Sequence, residues 1–107
     1  MKRGELVTVA LKGGYGKPRP ALVIQSDLFD AHPSVTVMPV TSELRDTPLF
    51  RFDISPGRVN GLKHPSQVMI DKIHTVGRDR VGPVIGRLEE EQMVSVNRLM
   101  MVFLGLA

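Results

Sequence analysis

The chain is 107 residues long, 42% hydrophobic and 23% charged, with a formal net charge of +3, a length that supports one apolar core and not two. It contains no cysteine, which excludes disulfides and thiolate metal sites, and no apolar run reaches a signal-peptide core or the roughly 18 residues of a membrane span. The expectation is a single domain over residues 1–107 with a cytoplasmic location; the excess of Lys and Arg suits an anionic partner such as RNA, DNA or an acidic protein, and equally a surface that only keeps the protein soluble.

Eight prolines and ten glycines interrupt the chain often, as short strands and turns do. With four Phe, one Tyr and no Trp, the core must be built from Val, Leu, Ile and Met. Leu6–Leu11 alternates, with Val7, Val9 and Leu11 on one face, and predicts a first strand. A glycine-rich cationic loop, Lys12–Pro18, leads into Pro20–Gln25, an almost continuous apolar run that suits a strand buried on both faces. Ser26–Ser34 is a break of helical or irregular character that Ser26 or Asp27 can cap. Val35–Val40 predicts a third strand entering a loop at Thr41-Ser42. Phe50, Phe52 and Ile54 alternate with Arg51 and Asp53 and predict a fourth, half-exposed strand. Pro56-Gly57 and Asn60-Gly61 are turn signals, the second suited to a tight hairpin. Ser66–Lys72 predicts a fifth strand and Val84–Leu88 a short sixth. The period then changes: Met93, Val96, Leu99, Met100 and Phe103 fall at helical spacing, and Glu89, Glu90 and Glu91 complement the helix dipole at its start. Five or six short strands followed by one helix predict a mainly β fold, a small barrel with a helical cap.

Three segments carry side chains able to do chemistry. In Lys17-Pro18-Arg19-Pro20 the arginine stands between two prolines, which restrict its backbone; a guanidinium held there can meet a phosphate bidentately, or bond nearby loop carbonyls. Thr41 and Ser42, at a strand end, can donate to phosphate oxygens or cap a turn. Asp71-Lys72-Ile73-His74-Thr75 offers a carboxylate, an amine and an imidazole; a strand continuing through it sets Lys72 and His74 on one face and Asp71 on the other. His74 belongs to the residue type best suited to proton transfer near neutral pH, though an exposed His beside a surface Asp-Lys pair is the plainer reading. His32, His64 and His74 are scattered, with no metal-ligand spacing, so neither a metal nor a cofactor is expected.

In this order the segments resemble the MazF/PemK family of toxins. Lys2-Arg3-Gly4-Glu5-Leu6-Val7 matches the family's opening strand, Arg19-Pro20-Ala21-Leu22-Val23-Ile24-Gln25 its Arg-Pro stretch, and Met38-Pro39-Val40-Thr41-Ser42 its hydroxyl-bearing strand end. Asp71, His74 and Thr75 match part of a later Asp-Gln-x-Arg-Thr element. The resemblance implies an SH3-like barrel with a C-terminal helix, a homodimer whose protomers form an RNA groove, metal-independent cleavage of single-stranded RNA, and a cognate antitoxin that covers the groove. It further implies that Arg19 stabilises the phosphorane and joins in proton transfer, that Thr41 bonds the scissile phosphate with Ser42 beside it, and that Asp71 is a base or RNA contact. The chain departs from the pattern in its first loop, where Lys17 or Tyr15 stands in for the usual polar residues as an RNA contact. It departs again where Lys72 and His74 replace the family's glutamine and arginine, Lys72 then being an RNA contact and His74 a candidate acid or base. Two other readings remain: a gyrase-binding toxin of the CcdB type, which the absence of Trp disfavours, and a non-catalytic SH3-like module that binds nucleic acid.

Overall fold

The computed structural model describes residues 1–10 and 17–107; the expected strand residue Leu11 and the expected RNA contact Tyr15 lie outside the described residues. Among the described residues, seven strands and one α-helix follow in order: β1 (Glu5–Val9), β2 (Arg19–Val23), β3 (Ser34–Thr41), β4 (Arg51–Ile54), β5 (Ser66–Met69), β6 (His74–Gly77), β7 (Val81–Arg87) and α1 (Glu90–Phe103). Every pairing is antiparallel, in the order β4-β5-β3-β2-β1-β7, with β6 beside β5 on the same edge of β3. The fold is mainly β with a C-terminal helix, as the sequence implies. β6 and β7 lie at opposite ends of the run β6-β3-β2-β1-β7, yet only a single 3-10 turn, Arg78–Arg80, joins them. The run must therefore roll back on itself. Among the described residues no ladder joins β7 to β6 or β4, so the roll stays open and "barrel" describes it loosely.

Alternation along the central strands explains how so few aromatics suffice. Leu6, Leu22, Met38 and Val40 face one core, where Val96 of α1 is fully buried and Met93, Leu99 and Met100 pack against it. Val7, Val9, Ala21, Val23, Val35 and Val37 face a second core on the other side of the same strands, closed by Val76 and rimmed by Met1 and Val81; the length suggested one core, but a sheet that rolls back on itself encloses one cluster while its other face packs α1. β2 is thus buried on both faces, as its unbroken apolar run suggests. Each fully buried Val, Leu or Met among them contributes on the order of 1.5–3 kcal/mol by leaving water. The helix starts as its acidic residues indicate, with a capping box between Glu89 and Gln92. Phe103, expected on its apolar face, is 48% exposed instead.

The second half of the chain departs from the sequence reading in three places, each with a physical cause. The strand expected over Ser66–Lys72 ends at Met69, and the chain turns through Ile70–Ile73 before His74 opens β6. Both strands use one edge of β3, β6 against Ser34–Val37 and β5 against Val40 and Thr41. The change of partner falls around Pro39. Thr36 bonds towards β2, its carbonyl accepting from Ile24, so by alternation Pro39 faces the β5–β6 edge, where it has no N–H to donate. The Asn60-Gly61 signal does not make a tight hairpin: β4 and β5 are joined by the long loop 55–65, because Asn60 turns inward and bonds the loop to itself. β7 runs from Val81, earlier than expected, since Gly82, Pro83 and Gly86 obscure its alternation and its register against β1 is irregular.

Candidate active site

The register of β2 on β3 determines the first half of the site. Ala21 lies opposite Pro39, and continuing that ladder by two residues brings Arg19 opposite Thr41. Both line one cleft of about 580 Å³. Pro20, Pro39, Leu62 and Ile85 give it apolar walls, and Arg19, Thr41, Ser42, Glu43, Lys63 and His64 bring polar groups to it. This mixture of an apolar wall and a few convergent polar groups is what a small-molecule or nucleotide subsite needs.

Thr41 does two things at once. Its Oγ1 accepts the Glu43 backbone N–H at 3.0 Å, so the hydroxyl caps the turn while its own proton remains available to donate. The turn-capping and phosphate-binding readings of this residue are therefore compatible. The loop that follows is tied down by Gln67, a buried side chain of β5. Its Oε1 accepts from the Arg45 N–H and from Arg51 Nη1, both at 3.0 Å, and its Nε2 donates to Arg45 O and Asp53 Oδ1 at 2.9 and 2.7 Å. Arg51 also reaches the Glu43 carbonyl at 3.0 Å. Buried amides satisfied this fully fix a geometry.

The opposite wall is the loop 55–65, and its anchor is Asn60. Its Nδ2 donates to Ser55 O at 2.8 Å, and its Oδ1 accepts from the N–H groups of Gly57 and Leu62 at 3.1 and 2.9 Å. Two glycines let this loop lie directly on β7. Gly61 sits at φ +69° with its α-carbon over the Ile85 carbonyl, and Gly86 presses on the backbone of Val59 and Asn60, so a Cβ at either position would collide with main chain. Lys63 and His64 are presented from this fixed loop. Pro65 restricts the His64 backbone, and the buried Ser66 hydroxyl donates to the His64 carbonyl at 2.8 Å.

The structure thus brings Arg19, Thr41 and Ser42 together. Lys17 is exposed two residues before Arg19 and does not line the cleft. Asp71, Lys72 and His74 also lie outside the lining, on the turn beyond Met69 and at the start of β6. Asp71 is half-buried; its Oδ2 pairs with Lys72 Nζ at 3.6 Å while its Oδ1 is buried with no hydrogen-bond partner among the described residues. His74, paired with Val37, is exposed. The ion pairs found among the described residues, Arg45–Glu43 and Lys72–Asp71, leave Arg19 and Lys63 without a carboxylate there.

Comparison with known proteins decides the family. The model of the PemK-like, MazF-like toxins of type II toxin–antitoxin systems matches residues 2–104. The chain belongs to this family. It is 49% identical to a probable endoribonuclease MazF of Mycolicibacterium smegmatis, over 100% of the chain and 99% of that relative. Among solved structures it resembles the Mycobacterium tuberculosis toxin MazF-mt6, with 26% identity, a TM-score of 0.83, and coverage of 96% of this chain and 98% of that one. It has the same fold as a mycobacterial endoribonuclease solved with its cognate antitoxin, at 24% identity and a TM-score of 0.82, covering 100% and 97% of the two chains.

Within this toxin, sequence reasoning missed the second wall of the cleft. Lys63, His64 and Glu43 stand in segments that read as ordinary loops. The one signal was the pair of restrictions around His64, a turn-forming Asn60-Gly61 before it and Pro65 after it, which together mark a histidine on a constrained backbone.

Proposed function

We propose that the toxin is an endoribonuclease that cleaves single-stranded RNA in the cleft between β2, the end of β3 and the loop 55–65. In the reaction the ribose 2′-oxygen attacks the adjacent phosphorus, the bond from phosphorus to the 5′-oxygen breaks, and the products are a 2′,3′-cyclic phosphate and a free 5′-hydroxyl. The 2′-hydroxyl gives up a proton and the leaving oxygen gains one, so no water is consumed. Arg19 stabilises the charge of the phosphorane with a bidentate guanidinium. Thr41 donates its free hydroxyl proton to a phosphate oxygen, and Ser42 contacts the same phosphate. The observation that carries this reading is that Arg19 and Thr41, far apart in sequence, line a single cleft.

Lys17, just before β2, and Tyr15 bind RNA. Asp71, Lys72 and His74 meet the nucleotides beyond Met69. Asp71 acts there as a base or RNA contact, and His74 takes part in handling that nucleotide. The working form is a homodimer of single-domain protomers, in keeping with the apolar surface at the end of α1, where Val102 is 60% and Leu106 is 70% exposed. A cognate antitoxin covers the RNA groove. None of the described helices is long and apolar enough to cross a membrane, and the site of action is the cytoplasm, where the RNA is.

Incubating the purified toxin with long single-stranded RNA in excess EDTA, beside Arg19→Ala, tests the reading. The wild type is expected to make discrete cuts, and the variant to be slower by roughly a hundredfold or more. Cuts that persist in Arg19→Ala would remove Arg19 from the mechanism.

A further inference from the structure

Arg19 and Thr41 can hold a phosphate and stabilise its charge, but they do not account for the two proton movements. A guanidinium does not give up its proton at neutral pH, and a threonine hydroxyl is a hydrogen-bond donor rather than a proton carrier. Asp71 and His74 stand outside the cleft lining. Among the described lining residues, His64 and Glu43 carry an imidazole and a carboxylate, the side-chain types that most often serve as general acid and base. They approach the cleft from different segments, Glu43 after β3 and His64 from the loop 55–65. Each sits on a backbone that is held in place. The Glu43 carbonyl accepts from Arg51 and its N–H donates to Thr41, while its carboxylate, on a side chain 79% exposed, lies 3.5 Å from Arg45 Nη2. The His64 carbonyl accepts from the buried Ser66, and the loop leading to it is fixed by Asn60 and by the contact of Gly61 with Ile85. A catalytic acid needs this kind of support, because a misplacement of about an ångström costs orders of magnitude in rate.

We infer that His64 is the general acid of the cleavage, donating a proton to the departing 5′-oxygen, while the Glu43 carboxylate accepts the proton of the attacking 2′-hydroxyl. The inference rests on the ribonuclease reading above. As the bond from the 2′-oxygen to phosphorus forms, the 2′-hydroxyl proton passes to Glu43. As the bond from phosphorus to the 5′-oxygen breaks, the proton on His64 passes to that oxygen. The step leaves His64 neutral and Glu43 protonated, and exchange with water restores both. Arg19 and Lys63, the other charged groups of the lining, keep their positive charge on the phosphate throughout.

The general-acid role has a specific chemical test. A thiolate leaves without protonation, so RNA with sulfur in place of the bridging 5′-oxygen at the cut does not need the acid. Single-turnover rates at saturating RNA are measured for the wild-type toxin and for His64→Ala on ordinary and 5′-thio RNA with the same cleavage site. His64 is exposed, so the change leaves folding intact. His64→Ala is expected to slow ordinary RNA by roughly a hundredfold or more and to cut the 5′-thio RNA within about threefold of wild type. Near-wild-type cleavage of ordinary RNA, or an equal loss on both substrates, would overturn the assignment of His64 alone. Wild-type toxin that cuts neither RNA would overturn the ribonuclease reading and this inference with it.

Discussion

The chain carries a lysine and a histidine close together on two neighbouring segments, and the two are built differently. Lys63-His64 stands on a loop whose backbone is fixed at nearly every step. Three hydrogen bonds to the Asn60 side chain come before it, Pro65 and the Ser66 hydroxyl follow it, and β7 lies beneath. Lys72-Ile73-His74 leaves a turn tied by the Ile70 N–H to Phe50 O and the Lys72 N–H to Met69 O, at 2.9 and 3.1 Å, and runs into β6, where His74 pairs with Val37. The Lys72 side chain is 59% exposed and, among the described residues, paired only with its neighbour Asp71. Residue types alone would rank the second segment higher, because it adds a carboxylate. The shared cleft ranks the first higher, since it brings Lys63 and His64 to Arg19 and Thr41 while Asp71, Lys72 and His74 lie outside its lining.

The comparison fails if Asn60 is not the anchor of the first segment. Replacing it by Ala leaves the Gly57 and Leu62 N–H groups and the Ser55 carbonyl without their partner, and is expected to cost about 2–3 kcal/mol in urea unfolding. RNA cleavage should fall further than the fraction unfolded explains. A stability change under about 0.5 kcal/mol, the range of an ordinary surface substitution, would show that the loop is held by other means.

A smaller effect sharpens the contrast between the two lysines. Lys63→Ala should weaken RNA binding and also lower the single-turnover rate at saturation, by roughly tenfold in all, because its charge acts at the scissile phosphate. Lys72→Ala should weaken binding only about two- to fourfold and reduce the salt dependence of binding by about one contact. Titrations at two salt concentrations, combined with single-turnover rates, separate the two. Equal effects on rate would place both segments at the reacting phosphate.

Much of the fold was readable from the sequence because it follows from alternation. Val7 and Val9, the apolar run Ala21–Val23, Val35–Val40 and the helical spacing of Met93, Val96, Leu99 and Met100 fix the main elements, though not their division between two cores. β6 was not readable. Whether the chain runs on or turns after Met69 depends on which residues of β3 remain to be paired, and that is a non-local fact set at Pro39. The site divided along the same line. Arg19 and Thr41 announce themselves by their prolines and by the strand end. The place of His64 and Glu43 depends on how the loop 55–65 folds back over β7, which Asn60, Gly61 and Gly86 decide through contacts distant in sequence.

The central claim is that the cleft lined by Arg19, Thr41 and the loop 55–65 holds the scissile phosphate. Amide NMR of the toxin with a short single-stranded RNA, made uncleavable by a 2′-deoxy sugar at the cut, tests it most directly. The account expects the largest shifts at Arg19, Thr41, Ser42, Lys63 and His64, with weaker ones at Lys72 and His74. Shifts centred on the Asp71–His74 turn or on α1, with the cleft residues unmoved, would contradict it.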